Sequence, residues 1–237
     1  PMLEDSDWLQ VKGTDEGLPV LFRDFTLPQN KQLVSARMAI TALGLYQAQI
    51  NGKKVGDSYF SPGWTSYLSR LQYQNYEVTD LVRKGDNRLA VLLSGGWYSG
   101  VFGPDKKQGN YGKEQALNCK LLLEFSDGSR QEVVSGTDWQ VKTSFIQRSD
   151  FYDGEHQDTR TIGLSADWPV KGLTLSKLDH APPAMLVQSI APAVKQQEVF
   201  KVRKSWKDIN GDLILDFGQN LAGFVRICMQ GSAGDTL

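Results

Sequence analysis

The chain has 237 residues, with 26 Lys+Arg against 27 Asp+Glu, and 40% apolar, 10% aromatic and 22% charged residues. This is enough length and apolar content for one or two domains with a buried core, which excludes disorder for most of the sequence. The charge is balanced and dispersed, so no basic patch offers itself to nucleic acid or an anionic membrane, and no run approaches the ~18 apolar residues of a membrane helix.

In chain order, the start PMLEDSDW lacks the charged-then-apolar layout of a signal peptide. Strand-like runs then recur at 36–41, 45–50, 72–78, 88–93, 117–125, 130–134 and 140–143. In the run from Leu117 to Phe125, positions 117, 119, 121, 123 and 125 are apolar while 118, 120 and 124 are polar, the period of a strand with one buried face. Asn51-Gly52 and Asp127-Gly128 tolerate positive φ and predict tight hairpins. Val78 to Val82 predicts one helical turn capped by Thr79 or Asp80. Many short strands between Gly and Asx turns predict an all-β, antiparallel sandwich.

Between Lys177 and Val194 the alternation breaks around Pro182, Pro183 and Pro192, which marks a domain boundary. Runs resume at 199–202, 213–217 and 224–229, too few for a complete sandwich, so a second β domain is expected to begin here and the chain to be part of a longer protein. The cysteines, Cys119 and Cys228, both lie in strand-like runs and read as free buried thiols, with no support for a disulfide. Two histidines, His156 and His180, are too scattered for a zinc site.

Enzyme signatures are absent: no GxSxG, phosphate-binding Gly loop, HExxH or EF-hand loop. The acidic residues Asp150, Asp153, Glu155 and Asp158 could in principle pair for acid/base work on a glycosidic bond. With Arg148, His156 and Arg160 among them, an ion-paired loop is the weightier reading. Aromatics cluster at loops, Tyr59, Phe60, Trp64 and Tyr67 around SPGWTSY and Trp97-Tyr98 after Gly95-Gly96. An aromatic ring at a strand end can stack on a sugar, or it can belong to the core; the core reading is favoured for Trp97, and the two balance for Trp64. Asp57, Asp105 and Asn110 stand in Gly-containing loops as oxygen donors for Ca²⁺, against the commoner role of Asx residues as turn formers.

Five blocks in order, ARMAITALGLYQAQINGKKVGDSYFSPGWTSYLSR continuing to LLSGGWYSG, NYGKEQALNCKLLLEFSDGS, TDWQ, FYDGEHQDTR and DFGQNLAGFVRI, resemble the N-terminal region of bacterial α-L-rhamnosidases from about Phe22 onward. The resemblance implies a jelly-roll-like β-sandwich followed by the start of a second β domain. Residues 1–30 would join the β structure, 31–185 form the sandwich, and 186–237 provide a linker and the first strands of the next domain. It also implies a parent enzyme that removes terminal α-L-rhamnose with inversion, its catalytic acids lying in a downstream (α/α)₆ barrel. No catalytic residue is expected in these 237 residues.

Within that frame the sandwich is expected mainly to brace the downstream catalytic domain of the same polypeptide, with Asp153, Glu155, Asp158 and Arg160 in an interdomain loop. The alternative is a calcium-assisted rhamnose-binding module using Asp57, Trp64, Trp97 and Asn110, with Asp57 and Asn110 as the Ca²⁺ donors. Against it, Ser58 stands where relatives can carry Asn, and the family's GDGWY appears as Ser94-Gly95-Gly96-Trp97-Tyr98. No cofactor is required on this reading, Ca²⁺ being optional. The expected partner is a rhamnose-containing glycan, not nucleic acid or membrane, and the job of trimming glycans favours an exported protein over a cytoplasmic one.

Overall fold

A computed structural model of the chain describes Leu3 and residues 5–13, 17–103, 105–161, 172–228, 230–232 and 234–236. It divides into two units, Pro1–Val194 and Lys195–Leu237. In the first, the strands are β1 (Leu9–Lys12), β2 (Pro19–Leu27), β3 (Leu33–Leu43), β4 (Leu45–Ile50), β5 (Lys53–Lys54), β6 (Ser58–Tyr59), β7 (Arg70–Glu77) and β8 (Gly85–Ser94). They continue as β9 (Val101–Phe102), β10 (Lys107–Gln108), β11 (Ala116–Phe125), β12 (Arg130–Val134), β13 (Gln140–Thr143), β14 (Ile146–Asp150), β15 (Gly154–Gln157), β16 (Thr174–Lys177) and β17 (Met185–Gln188).

A seven-stranded sheet has the order β16-β1-β11-β3-β7-β17, with β12 also paired to β11, and a five-stranded sheet has the order β13-β2-β8-β4-β5. The long strands β2, β3, β4, β7, β8 and β11 alternate between the two sheets, the connectivity of a jelly roll. Among the described pairings of these sheets, β17 with β7 is parallel and the others are antiparallel. Residues 1–30 supply β1 and β2, the latter an internal strand of the five-stranded sheet, so the N-terminal segment is built into the sandwich.

The period-two pattern explains the core. Leu21, Phe25 and Leu27 of β2, Tyr46, Ala48 and Ile50 of β4, and Leu89, Val91 and Leu93 of β8 face Met38, Ile40, Leu117, Cys119, Leu121 and Leu123 of the opposite sheet, all buried in one cluster. Trp139 closes this cluster and donates its indole N–H to the Val134 carbonyl at 2.7 Å. The Asn51-Gly52 hairpin forms as expected, with φ of +53° and +78°.

The turn Thr79–Leu81 is 3₁₀, but neither Thr79 nor Asp80 caps it: Val78 holds the N-cap position without a side-chain bond. Thr79 Oγ1 instead accepts from Ala36 N–H at 2.8 Å, tying the turn to β3. In the second unit, Lys204–Lys207 pairs with Leu213–Asp216, while residues 199–202 and 224–228 lie outside any strand. No described strand pairs with them. Cys228, outside any strand, is exposed, contrary to the expected buried thiol, whereas Cys119 is buried and desolvation pushes its thiol pKa up.

Candidate functional site

The aromatic loops converge. After β6 the chain turns through Phe60, at φ +56°, and Gly63, at φ +101°, which leaves Trp64 51% exposed. The run after β8 makes a single helical turn at Gly96–Ser99. Gly96 has φ +49°, and a Cβ there would lie 2.4 Å from Leu45 Cγ, so glycine is required for Trp97 and Tyr98 to follow β8 so closely. Trp97 stacks on Trp64 at 6.2 Å between ring centroids and 12° between planes. Phe102 meets Trp64 edge-on at 5.0 Å, Phe151 packs on Trp97 at 4.6 Å, and Phe60 touches both Trp97 and Phe151. Trp97 is thus half-buried against a core cluster and is also one wall of an exposed aromatic platform, rather than a fully buried core residue.

A tyrosine group supports the platform from beneath. Trp64 Nε1 donates to Tyr111 Oη at 3.3 Å, and Tyr67 packs on Tyr98 and Tyr111 at 5.2 and 4.9 Å. Burial pushes the phenols of Tyr67 and Tyr98 up, so they stay neutral hydrogen-bonding groups. A Cβ at Gly112 would lie 2.2 Å from Tyr98 Oη, so the Asn110-Tyr111-Gly112 turn is pressed onto this group. Asn110 therefore sits beside the platform, its Nδ2 donating to the Lys107 carbonyl at 3.2 Å. Asp57 is exposed in the bend between β5 and β6, and Asp105 is exposed in the loop before β10.

Calcium takes six to eight oxygen ligands. Among the described residues no three or more His, Cys, Asp or Glu side chains come together as a metal site. Asp57 and Asn110 offer at most three side-chain oxygens, and the remainder of any shell would be backbone carbonyls and water.

The acidic loop is the β14–β15 hairpin. Asp153 bonds Arg148 at 2.6 Å and Lys106 at 3.1 Å, and its carboxyl is held below the usual range, chiefly by Lys106. Asp158 is paired with Arg160, which donates from Nε and Nη2 at 2.8 and 2.6 Å and holds the carboxyl at about 2. Glu155 accepts from Gln157, and Asp150 accepts from the Val101 and Tyr152 amides. A glycosidase general acid needs a raised pKa, and Asp153 and Asp158 are shifted the other way. The hairpin instead delivers Phe151 to Trp97. Phe102, Tyr111 and Phe151 escaped sequence reasoning, although Phe151 opens the acidic block and Tyr111 follows Asn110.

The family model for the α-L-rhamnosidase N-terminal domain matches residues 31–203. An α-L-rhamnosidase of Streptomyces avermitilis is 36% identical over 97% of this chain and 22% of its own length, and one of Formosa agariphila is 28% identical over 88% and 23%. Among solved structures, the native α-L-rhamnosidase of Aspergillus terreus superposes with TM-score 0.81 at 33% identity over 92% of this chain and 26% of its own. The S. avermitilis α-L-rhamnosidase complexed with L-rhamnose gives TM-score 0.78 at 35% identity, over 86% and 20%. The chain thus spans about a quarter or less of these relatives. With more than half of its residues inside the family model and its sandwich shared with solved relatives, the chain belongs to the α-L-rhamnosidase N-terminal domain family.

Proposed function

We propose that this chain is the accessory, non-catalytic N-terminal β region of an α-L-rhamnosidase, an enzyme that hydrolyses terminal α-L-rhamnose from glycans. The observation that carries the non-catalytic role is the state of the β14–β15 acids: Asp153 and Asp158 are locked to Lys106, Arg148 and Arg160 as low-pKa carboxylates, unfit to protonate a leaving oxygen. The catalytic domain is a partner on the same polypeptide, and Asp153, Glu155, Asp158 and Arg160 are assigned to bracing it. The purified 237-residue chain, given an aryl α-L-rhamnoside, is expected to release no phenol. Release abolished by Asp153→Asn or Asp158→Asn would overturn the reading.

A second reading is favoured by the platform of Trp64 and Trp97, whose stacked rings, Trp64 exposed and Trp97 half-buried, suit the C–H face of a sugar. On this reading the loops bind rhamnose, Asp57 and Asn110 contributing oxygen donors and Ca²⁺ assisting. NMR titration with L-rhamnose, with Ca²⁺ and then with EDTA, is expected to shift the Trp64 indole resonance saturably, the shift shrinking in EDTA. Silence in both buffers would leave the bracing role alone.

A further inference from the structure

The two outer faces of the sandwich differ, and the open one is furnished. On the outer face of the five-stranded sheet, Val20 of β2 pairs with Leu92 of β8, which pairs with Gln47 of β4. The next row is Phe22, Ala90 and Gln49, and the third joins Asp24 to Arg88. These rows floor a concavity of about 1040 Å³, walled by residues 143–146 on one side and the Asn51-Gly52 turn on the other.

Its chemistry is specific. Gln47 and Gln49 have side-chain amides with no hydrogen-bond partner among the described residues. Arg88 is fixed twice, by paired bonds to Asp24 at 2.6 and 2.7 Å and by lying over the Phe22 ring at 4.7 Å. Phe22 is buried although it points outward, because Arg88 and Lys142 roof it.

We propose that this face binds an extended, uncharged, polyhydroxylated chain, a glycan strand, at a surface separate from the Trp64 loops. Charge favours a neutral ligand: the lining sets Asp24 and Asp86 among Arg83, Arg88 and Lys142, so an ion of either sign would meet a like charge, and Arg88 is already paired with Asp24. Each hydroxyl both donates and accepts, and the floor offers donor and acceptor side by side at Gln47, at Gln49 and across the Asp24–Arg88 pair. Between these groups Val20, Ala90 and Leu92 leave apolar patches suited to the C–H faces of pyranose rings. The volume is at the upper end for a single small ligand, and the trough is open, which favours a chain over one ring. A peptide strand would need a free sheet edge, whereas this surface presents side chains.

The test is methyl NMR of the full chain labelled at Val, Leu and Ala, titrated to about 5 mM, in the weak range, with cellohexaose, xylohexaose and mannohexaose in turn. Saturable shifts at Val20, Ala90 and Leu92 are expected with at least one of them. The Gln47→Ala/Gln49→Ala variant, checked for a native methyl spectrum, is expected to bind about tenfold more weakly. The proposal is overturned by the absence of shifts at these methyls with all of the hexasaccharides, or by undiminished affinity in the double variant. Because L-rhamnose shifts are read at the Trp64 indole, loss of the loop reading and loss of this one are separable.

Discussion

Among the described residues of the first unit, the outer face of the seven-stranded sheet is covered and that of the five-stranded sheet is open. On the covered side, Leu3 packs on Ala39 and Tyr73, while Trp8, Tyr67 and Ala184 close over Leu43, Leu71 and Ala116. Ser6 is bonded to the buried Asn118 amide in both directions, which pins the N-terminal segment there. Accordingly β3 is apolar on both faces from Met38 to Leu43 apart from Thr41, and Thr41 donates its hydroxyl to the Gln72 carbonyl at 2.6 Å. On the open side the outward positions mix the polar Gln47, Gln49, Asp24 and Arg88 with the apolar Val20, Phe22, Ala90 and Leu92. The difference teaches that apolar outward residues occur on both faces, and that what separates the faces is the segments folded over one of them and the polar side chains interleaved on the other.

The comparison can be broken most sharply by thiol chemistry. Cys119 lies on the inner face between the sheets and Cys228 is exposed. An aromatic disulfide reagent at pH 8 is expected to modify Cys228 at once and Cys119 slower by at least about a thousandfold, because Cys119 reacts only through unfolding. Equal rates would mean that the sandwich core is not closed.

Stability measurements sharpen the contrast between the faces. Leu71→Ala removes a side chain 1% exposed beneath Trp8 and Tyr67 and is expected to cost about 2–5 kcal/mol by urea unfolding. Gln49→Ala on the open face is expected to stay within about 0.5 kcal/mol. Similar losses at both positions would show that the open face is packed as the other is.

The smallest effect belongs to Asp24. Arg88 bonds hold its carboxyl below the ordinary 3.8, so the pair stabilises the fold above that value, and the contribution fades as pH falls through the folded-state pKa. Both side chains are more than a third exposed, so the gain is about 0.5 kcal/mol or less. The melting difference between the parent and Asp24→Asn should shrink from pH 7 to pH 3, and a widening difference would refute the assignment.

The sequence by itself determined what depends on near neighbours along the chain. Alternation placed Leu117, Cys119, Leu121 and Leu123 on one face, since strand side chains alternate whatever the partner, and Asn51-Gly52 could adopt the positive φ of its hairpin. The five ordered blocks carried the family. Tertiary structure alone decided which outer face is covered, because covering comes from residues as distant as Leu3, Tyr67 and Ala184. It also decided that Phe102, Tyr111 and Phe151 complete the Trp64–Trp97 platform, and that residues 224–228, an apolar run broken by Arg226, form no strand. The physical reason is common to all of these: a side chain's periodicity states which way it points, and only the fold supplies what it meets there.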